Sequence, residues 1–202
     1  MTGQPSPVRV DGRTARSERT RRAIVDSLLA LTAEGDLKAS PERIVARAGV
    51  SLRTLWTSFK DLEGLYAAAS DRLIQLQEAQ HRTIPPDAPL PDRVAAFCEQ
   101  RARMLEIVAP AARAAQLRLP YSAQLRSNRA VHTARARDEI RAVFGAELDA
   151  SRAGRAELER ALLVNTTWPA WSMLRDDLGL DVIAATAVMT RTLTALITPR
   201  SR

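Results

Sequence analysis

Two serine caps eleven residues apart, with one glycine between them, constrain this chain more than any other feature. Ser40 precedes Pro41, so one orphan amide of a new helix gains a side-chain partner and another is absent, which predicts a helix over about 41–48. Gly49 supplies the tight or left-handed turn that ends it, Val50 plugs a small core, and Ser51 caps the next helix, running to about Phe59. An earlier helix from about Ser17 to Ala33, with Ile24, Leu28 and Leu31 on one face and a stop at Gly35, completes a three-helix unit over 17–62.

The rest of the chain reads as helices divided by proline and glycine. A fourth helix from about Asp61 to Gln80 carries Leu62, Leu65, Tyr66, Ala69 and Leu73 at helical spacing, and residues 63–82 form a connector. The stretch TIPPDAPLP, 83–91, must break it. Beyond lie helices at about 92–108, 110–118, 122–148, 154–178 and 180–197, parted by Pro110, Pro120, Gly154 and Gly179, with no alternating strand pattern and no repeat. The fold class is therefore all-α, of about nine helices: a head over 17–62 and a larger body over 83–202. Residues 1–16, with two prolines, two glycines and three arginines, lack apolar periodicity and read as a disordered basic arm.

Charge is unevenly placed. Residues 1–60 hold eleven Lys or Arg against six Asp or Glu, an excess of five, whereas 61–202 hold nineteen against seventeen, an excess of two. A polyanion partner would find its counter-charge in the first third. Cys98 is the single cysteine, so no internal disulfide forms and a reduced cytoplasm fits. No apolar run has the length of a signal peptide core or a membrane span, so no membrane partner is expected.

The third helix divides into two faces. Leu55 and Phe59, four apart, face inward with Ile44 and Ala48 of the preceding helix, while Leu52, Arg53, Thr54, Trp56, Thr57 and Ser58 surround the outer face. A recognition helix needs this division, since one side holds it in the core and the other offers donors, acceptors and methyls to the major groove of double-stranded DNA. Arg53 suits guanine O6 and N7, and Thr54 and Thr57 suit thymine methyls or phosphate oxygens.

A first helix ending in glycine, then SPERIVARAGVS, RTLWTSF and the acidic start DLEGL, together resemble the TetR family of transcriptional regulators over about residues 20–66. The resemblance implies a homodimeric repressor released from DNA by a small-molecule effector. It implies DNA contacts from Arg53, Thr54, Trp56, Thr57 and Ser58, supported by Ser51, Lys60, Arg43 and Lys38. Family members usually carry Tyr, His and Lys where this chain has Trp56, Ser58 and Leu62, the last two commonly touching phosphate. Leu62 cannot replace a charge, which shifts the phosphate contacts towards Arg43, Lys38, Lys60 and the arginines of the first helix.

The resemblance also implies that the last two long helices form a four-helix dimer interface, and the sequence supports this independently. Over 180–197, Val182, Ile183, Ala187, Val188, Met189, Leu193, Leu196 and Ile197 spread around most of the circumference. In the preceding helix Leu158, Leu162 and Asn165 make one stripe, and Leu163, Val164, Thr167, Trp171 and Leu174 another. The expected interface residues are Leu163, Trp171, Leu174, Val182, Met189, Leu193 and Leu196. Two recognition helices would then meet grooves roughly 34 Å apart on a near-palindromic operator.

Candidate effector contacts are Phe97, Arg101, Met104, His132, Asn165 and Trp168. Arg101 falls on the apolar stripe of Val94, Phe97, Cys98, Leu105 and Val108, where it needs a ligand, a carboxylate such as Glu106 or Glu99, or a route to solvent. Pro169 should kink its helix and open a cavity beside Trp168. The two histidines stand far apart, and no Ser-His-Asp pattern, phosphate loop or HExxH occurs, so neither catalysis, metal nor cofactor is expected. The alternatives are a ligand-independent nucleoid-type DNA binder and a helical protein-interaction module.

Overall fold

The computed structural model describes residues 12–151 and 154–198. The protein is all-α: α1 (Gly12–Ala33), α2 (Pro41–Ala48), α3 (Leu52–Ser58), α4 (Leu62–Glu78), α5 (Leu90–Gln116), α6 (Ala123–Ala150), α7 (Arg155–Asn165), α8 (Trp168–Ser172) and α9 (Val182–Ile197), with no strand among the described residues.

Local chemistry sets the short elements. Ser40 Oγ accepts from Arg43 N, Pro41 opens α2, and Gly49 closes it at φ 67° and ψ 33°, a left-handed conformation that strains any residue with a Cβ. Ser51 and Asp61 cap α3 and α4 in the same way, accepting from Thr54 N and Gly64 N. Ile24, Val25, Leu28 and Leu31 of α1 meet Ile44, Val45, Leu55, Phe59, Leu65 and Ala69 in one core. The start of α4 is therefore part of the head.

A second core unites α5, α6, α7, α8 and α9 around Phe97, Phe144, Ile140, Leu162, Trp171, Met189 and Leu193. Phe97 and Phe144 meet edge to face with centroids 5.1 Å apart.

Three boundaries differ from expectation. α1 begins at Gly12, so residues 12–16 of the expected arm are helical, while 1–11 lie outside the described residues. α5 runs unbroken through Pro110. A proline inside a helix costs about 3 kcal/mol, but Leu105 and Ala109 before it and Ala114 after it are all buried, and that tertiary burial outweighs the local loss. The expected helix over 154–178 is instead α7, a break at Thr166 and Thr167, α8, and one π-helical turn at Met173–Asp177. Pro169 has no N–H to continue the ladder, so the helix stops and restarts with Pro169 in its first turn.

Candidate functional site

The outer face of α3 has the predicted division. Leu55 and Phe59 are buried, whereas Arg53, Trp56 and Thr57 are exposed and Thr54 and Ser58 half-buried. Ser51 Oγ receives Thr54 N at 3.1 Å and lies 2.9 Å from Thr54 Oγ1, so the cap also holds the Thr54 hydroxyl. Thr57 Oγ1 donates to Arg53 O at 2.8 Å, which leaves its methyl and an oxygen lone pair for a partner. Arg53 thus stands as the strongest donor on this face.

The first turns of α1 extend the site. Arg13, Arg16, Ser17 and Thr20 line one side of a shallow cleft of about 350 Å³, and Arg53, Thr54, Thr57 and Ser58 line the other, with no carboxylate of the described residues in its wall. Arg13 and Arg16, expected in a disordered arm, are brought to α3 by the helical continuation. The missed signal is that no proline follows Pro7 before the helix, while arginine and alanine favour it.

Arg21 positions α3. Its guanidinium donates to Ser58 O and lies 4.2 Å from the centre of the Phe59 ring, a cation–π contact. It therefore satisfies a terminal carbonyl of α3 while gripping the core residue that follows. Lys38 and Lys60 are exposed on the flanks. Arg43, expected to share in phosphate contact, makes a 3.0 Å ion pair with Asp36. Leu62 is half-buried against the head core.

In the body, a cavity of about 620 Å³ is bordered by Arg101, Met104, His132 and Trp168, four of the six predicted effector contacts. The other two stand elsewhere. Phe97 is fully buried against Phe144, and Asn165 turns back to donate to Ala161 O at 2.8 Å, because a side-chain amide in the last turn is in reach of its own helix.

Arg101 has neither expected carboxylate as partner. Its Nε and a terminal nitrogen donate to Thr166 O at 3.2 and 2.8 Å, and the other terminal nitrogen meets Glu139 at 3.4 Å. The extended turn at Thr167 frees the Thr166 carbonyl, and the buried guanidinium donates where Ala170 N would in a continuous helix. Burial pulls the Arg101 pKa down, opposed by Glu139. Glu106 instead receives Trp171 Nε1 at 2.7 Å and Arg175 Nε at 3.1 Å.

His132 Nε2 lies 3.3 Å from Ser70 Oγ of α4, and burial, followed by Arg135 and Arg101, lowers its pKa to about 4. The Nε1 of Trp168 is buried without a hydrogen-bond partner among the described residues. Among those residues, no group of three or more His, Cys, Asp or Glu is placed to hold a metal ion.

The expected interface needs correction. Leu163, Trp171, Met189 and Leu193 are buried within the chain's own core, and Leu174 packs partly against it. Ala185, Met189, Leu193 and Ile197 recur every four residues and form the inner face of α9. Val182 and Leu196 do lie on the exposed side, with Ile183 at 82% exposure, Val188, and Val164 of α7 at 65%. No described helix is long and apolar enough to cross a membrane.

No protein-family model matches the chain, and no curated protein matches it either.

Proposed function

We propose that this protein is a TetR-type transcriptional regulator that binds a near-palindromic DNA operator as a homodimer in the cytoplasm and is released by a small-molecule effector. The observation that carries this reading is the cleft in which Arg13 and Arg16 of α1 face Arg53, Thr54 and Thr57 of the capped helix α3. Phosphate contacts set register and base-edge contacts set sequence choice, and this cleft offers both, with Arg53 suited to guanine.

The exposed apolar side chains of α7 and α9 support a second copy docking there. Val164, Val182, Ile183, Val188 and Leu196 are exposed on two neighbouring helices, where an isolated chain would leave them in water. An isologous pairing across this face would present two α3 helices to successive grooves. The cavity beside Trp168 supports effector binding, since apolar side chains such as Met104, Leu105 and Val108 and polar ones such as Arg101 and His132 line it together between α4 and the body.

The test is a mobility-shift titration of the purified chain on DNA from upstream of its own coding sequence, across a salt series with unrelated DNA as competitor. A competitor-resistant shift with two chains per site is expected, with affinity falling as salt rises. Uniform binding to both DNAs would replace this reading with a nucleoid-type binder. Absence of any shift on all upstream DNA would remove it.

A further inference from the structure

Beside the large cavity lies a second one, of about 170 Å³, in the seam where the head meets the body. Leu28 of α1 and Ala69 and Leu73 of α4 form one wall, and α5 supplies the other. The seam is hollow because α5 presents Ala111, Ala112 and Ala115 there, side chains too short to meet the leucines opposite. A dry apolar cavity of roughly 150 Å³ holds a molecule the size of benzene, so the seam has room for about six to eight chain carbons.

The two cavities share a wall of Val108, Arg129, His132 and Trp168. Carboxylates around the large cavity already have cationic partners: Glu78 has Arg135 at 3.0 Å, Asp138 has Arg141 at 3.9 Å, and Glu139 has Arg101 at 3.4 Å, besides accepting from the Gln100 amide at 2.6 Å. Arg129, exposed at the shared wall, has no ion pair among the described residues. Its complement is an anion, and an ammonium group placed there would meet a like charge.

We propose that the effector is a single-chain aliphatic carboxylate that straddles this wall, its carboxylate beside Arg129 and its chain in the seam. The inference deepens the effector-released reading above and rests on it for its regulatory half alone. A chain in the seam presses α1 and α4 away from α5, at the place where Ser70 meets His132 and where Glu63 accepts from Ser122 Oγ at 2.8 Å and Gln124 N at 2.9 Å. Those polar links fix the head on the body, and displacing them changes the spacing of two heads in a dimer.

The binding half is tested without DNA, by titration calorimetry of the full chain with sodium octanoate, octylammonium chloride and 1-octanol. One octanoate per chain is expected, with octanol at least about tenfold weaker, equivalent to about 1.4 kcal/mol, and octylammonium weaker still. Arg129→Ala should weaken octanoate about tenfold and leave octanol unchanged. Ala112→Phe, which fills the seam, should weaken both, with Ala115→Leu on the same wall used if that variant does not fold. Octylammonium binding as tightly as octanoate, or no saturable binding of octanoate in the millimolar range, overturns the proposal. Octanoate that binds but leaves an operator shift unchanged overturns its regulatory half only. A chain that binds octanoate yet shifts no DNA overturns the regulator and leaves the binding site standing.

Discussion

The outer face of α3 and the interior of the body use the same residue, arginine, in opposite ways. On α3, Arg53 is exposed beside hydroxyls already tied to their own helix, so its guanidinium is left for a partner molecule. In the body, Arg93 and Arg101 are buried and fully engaged. Arg93 reaches Ala88 O, Val143 O and both oxygens of Glu147 at 2.5 and 3.0 Å, and Arg101 reaches Thr166 O and Glu139. A guanidinium that closes carbonyls left open by breaks in the chain belongs to stability, while one that the fold leaves in solvent stays available to a partner.

The comparison breaks or sharpens on four measurements. Arg101→Met should cost about 3–5 kcal/mol in urea unfolding, because it strands the Thr166 carbonyl and leaves Glu139 without its buried cation. A loss under about 1 kcal/mol would mean that the guanidinium is held for a ligand instead of the fold.

The pH dependence comes next. The His132 pKa is about 4 in the fold and near 6.5 unfolded, so the unfolded chain binds the extra proton between those values. Stability is then complete above pH 6.5 and falls by roughly 3 kcal/mol as pH drops towards 4. His132→Gln should flatten that part of the curve. Below pH 4.5 the Glu147 carboxylate, held down first by its hydrogen bonds to Arg93, adds a separate loss that the variant should keep.

Third, Arg53→Ala should weaken a specific operator shift by about 1–3 kcal/mol, with the melting temperature unchanged. Loss of stability instead of affinity would erase the contrast between the two regions. The smallest effect belongs to Arg47 and Glu34, paired twice at 2.7 Å but well exposed. Glu34→Gln should cost no more than about 1 kcal/mol and vanish in high salt.

The head was legible at the level of single residues. The α2 boundaries, Pro41 and Ala48, agree with the reading from Ser40, Pro41 and Gly49, since caps and left-handed turns act over a few neighbouring residues. The body was legible only as a helical outline. Met189 and Leu193 were read as partner-facing because α9 is apolar nearly all round, and periodicity does not say which neighbour covers which stripe. The partners of Arg101 were equally hidden: Glu139 is 38 residues away, and Thr166 O became an acceptor only because the helix broke before Pro169.

By itself, then, the sequence determined the helical class, the two short capped helices with Gly49 between them, and the split of α3 into Leu55 and Phe59 inside and Arg53 and Thr57 outside. Each of these depends on interactions within about one helical turn. Tertiary structure alone decided that Arg13 and Arg16 stand opposite Arg53, that Trp171 belongs to the core, and that the alanines of α5 face leucines across an unfilled seam. Those outcomes depend on which surfaces meet, and burial between elements distant in the chain leaves no local mark on either of them.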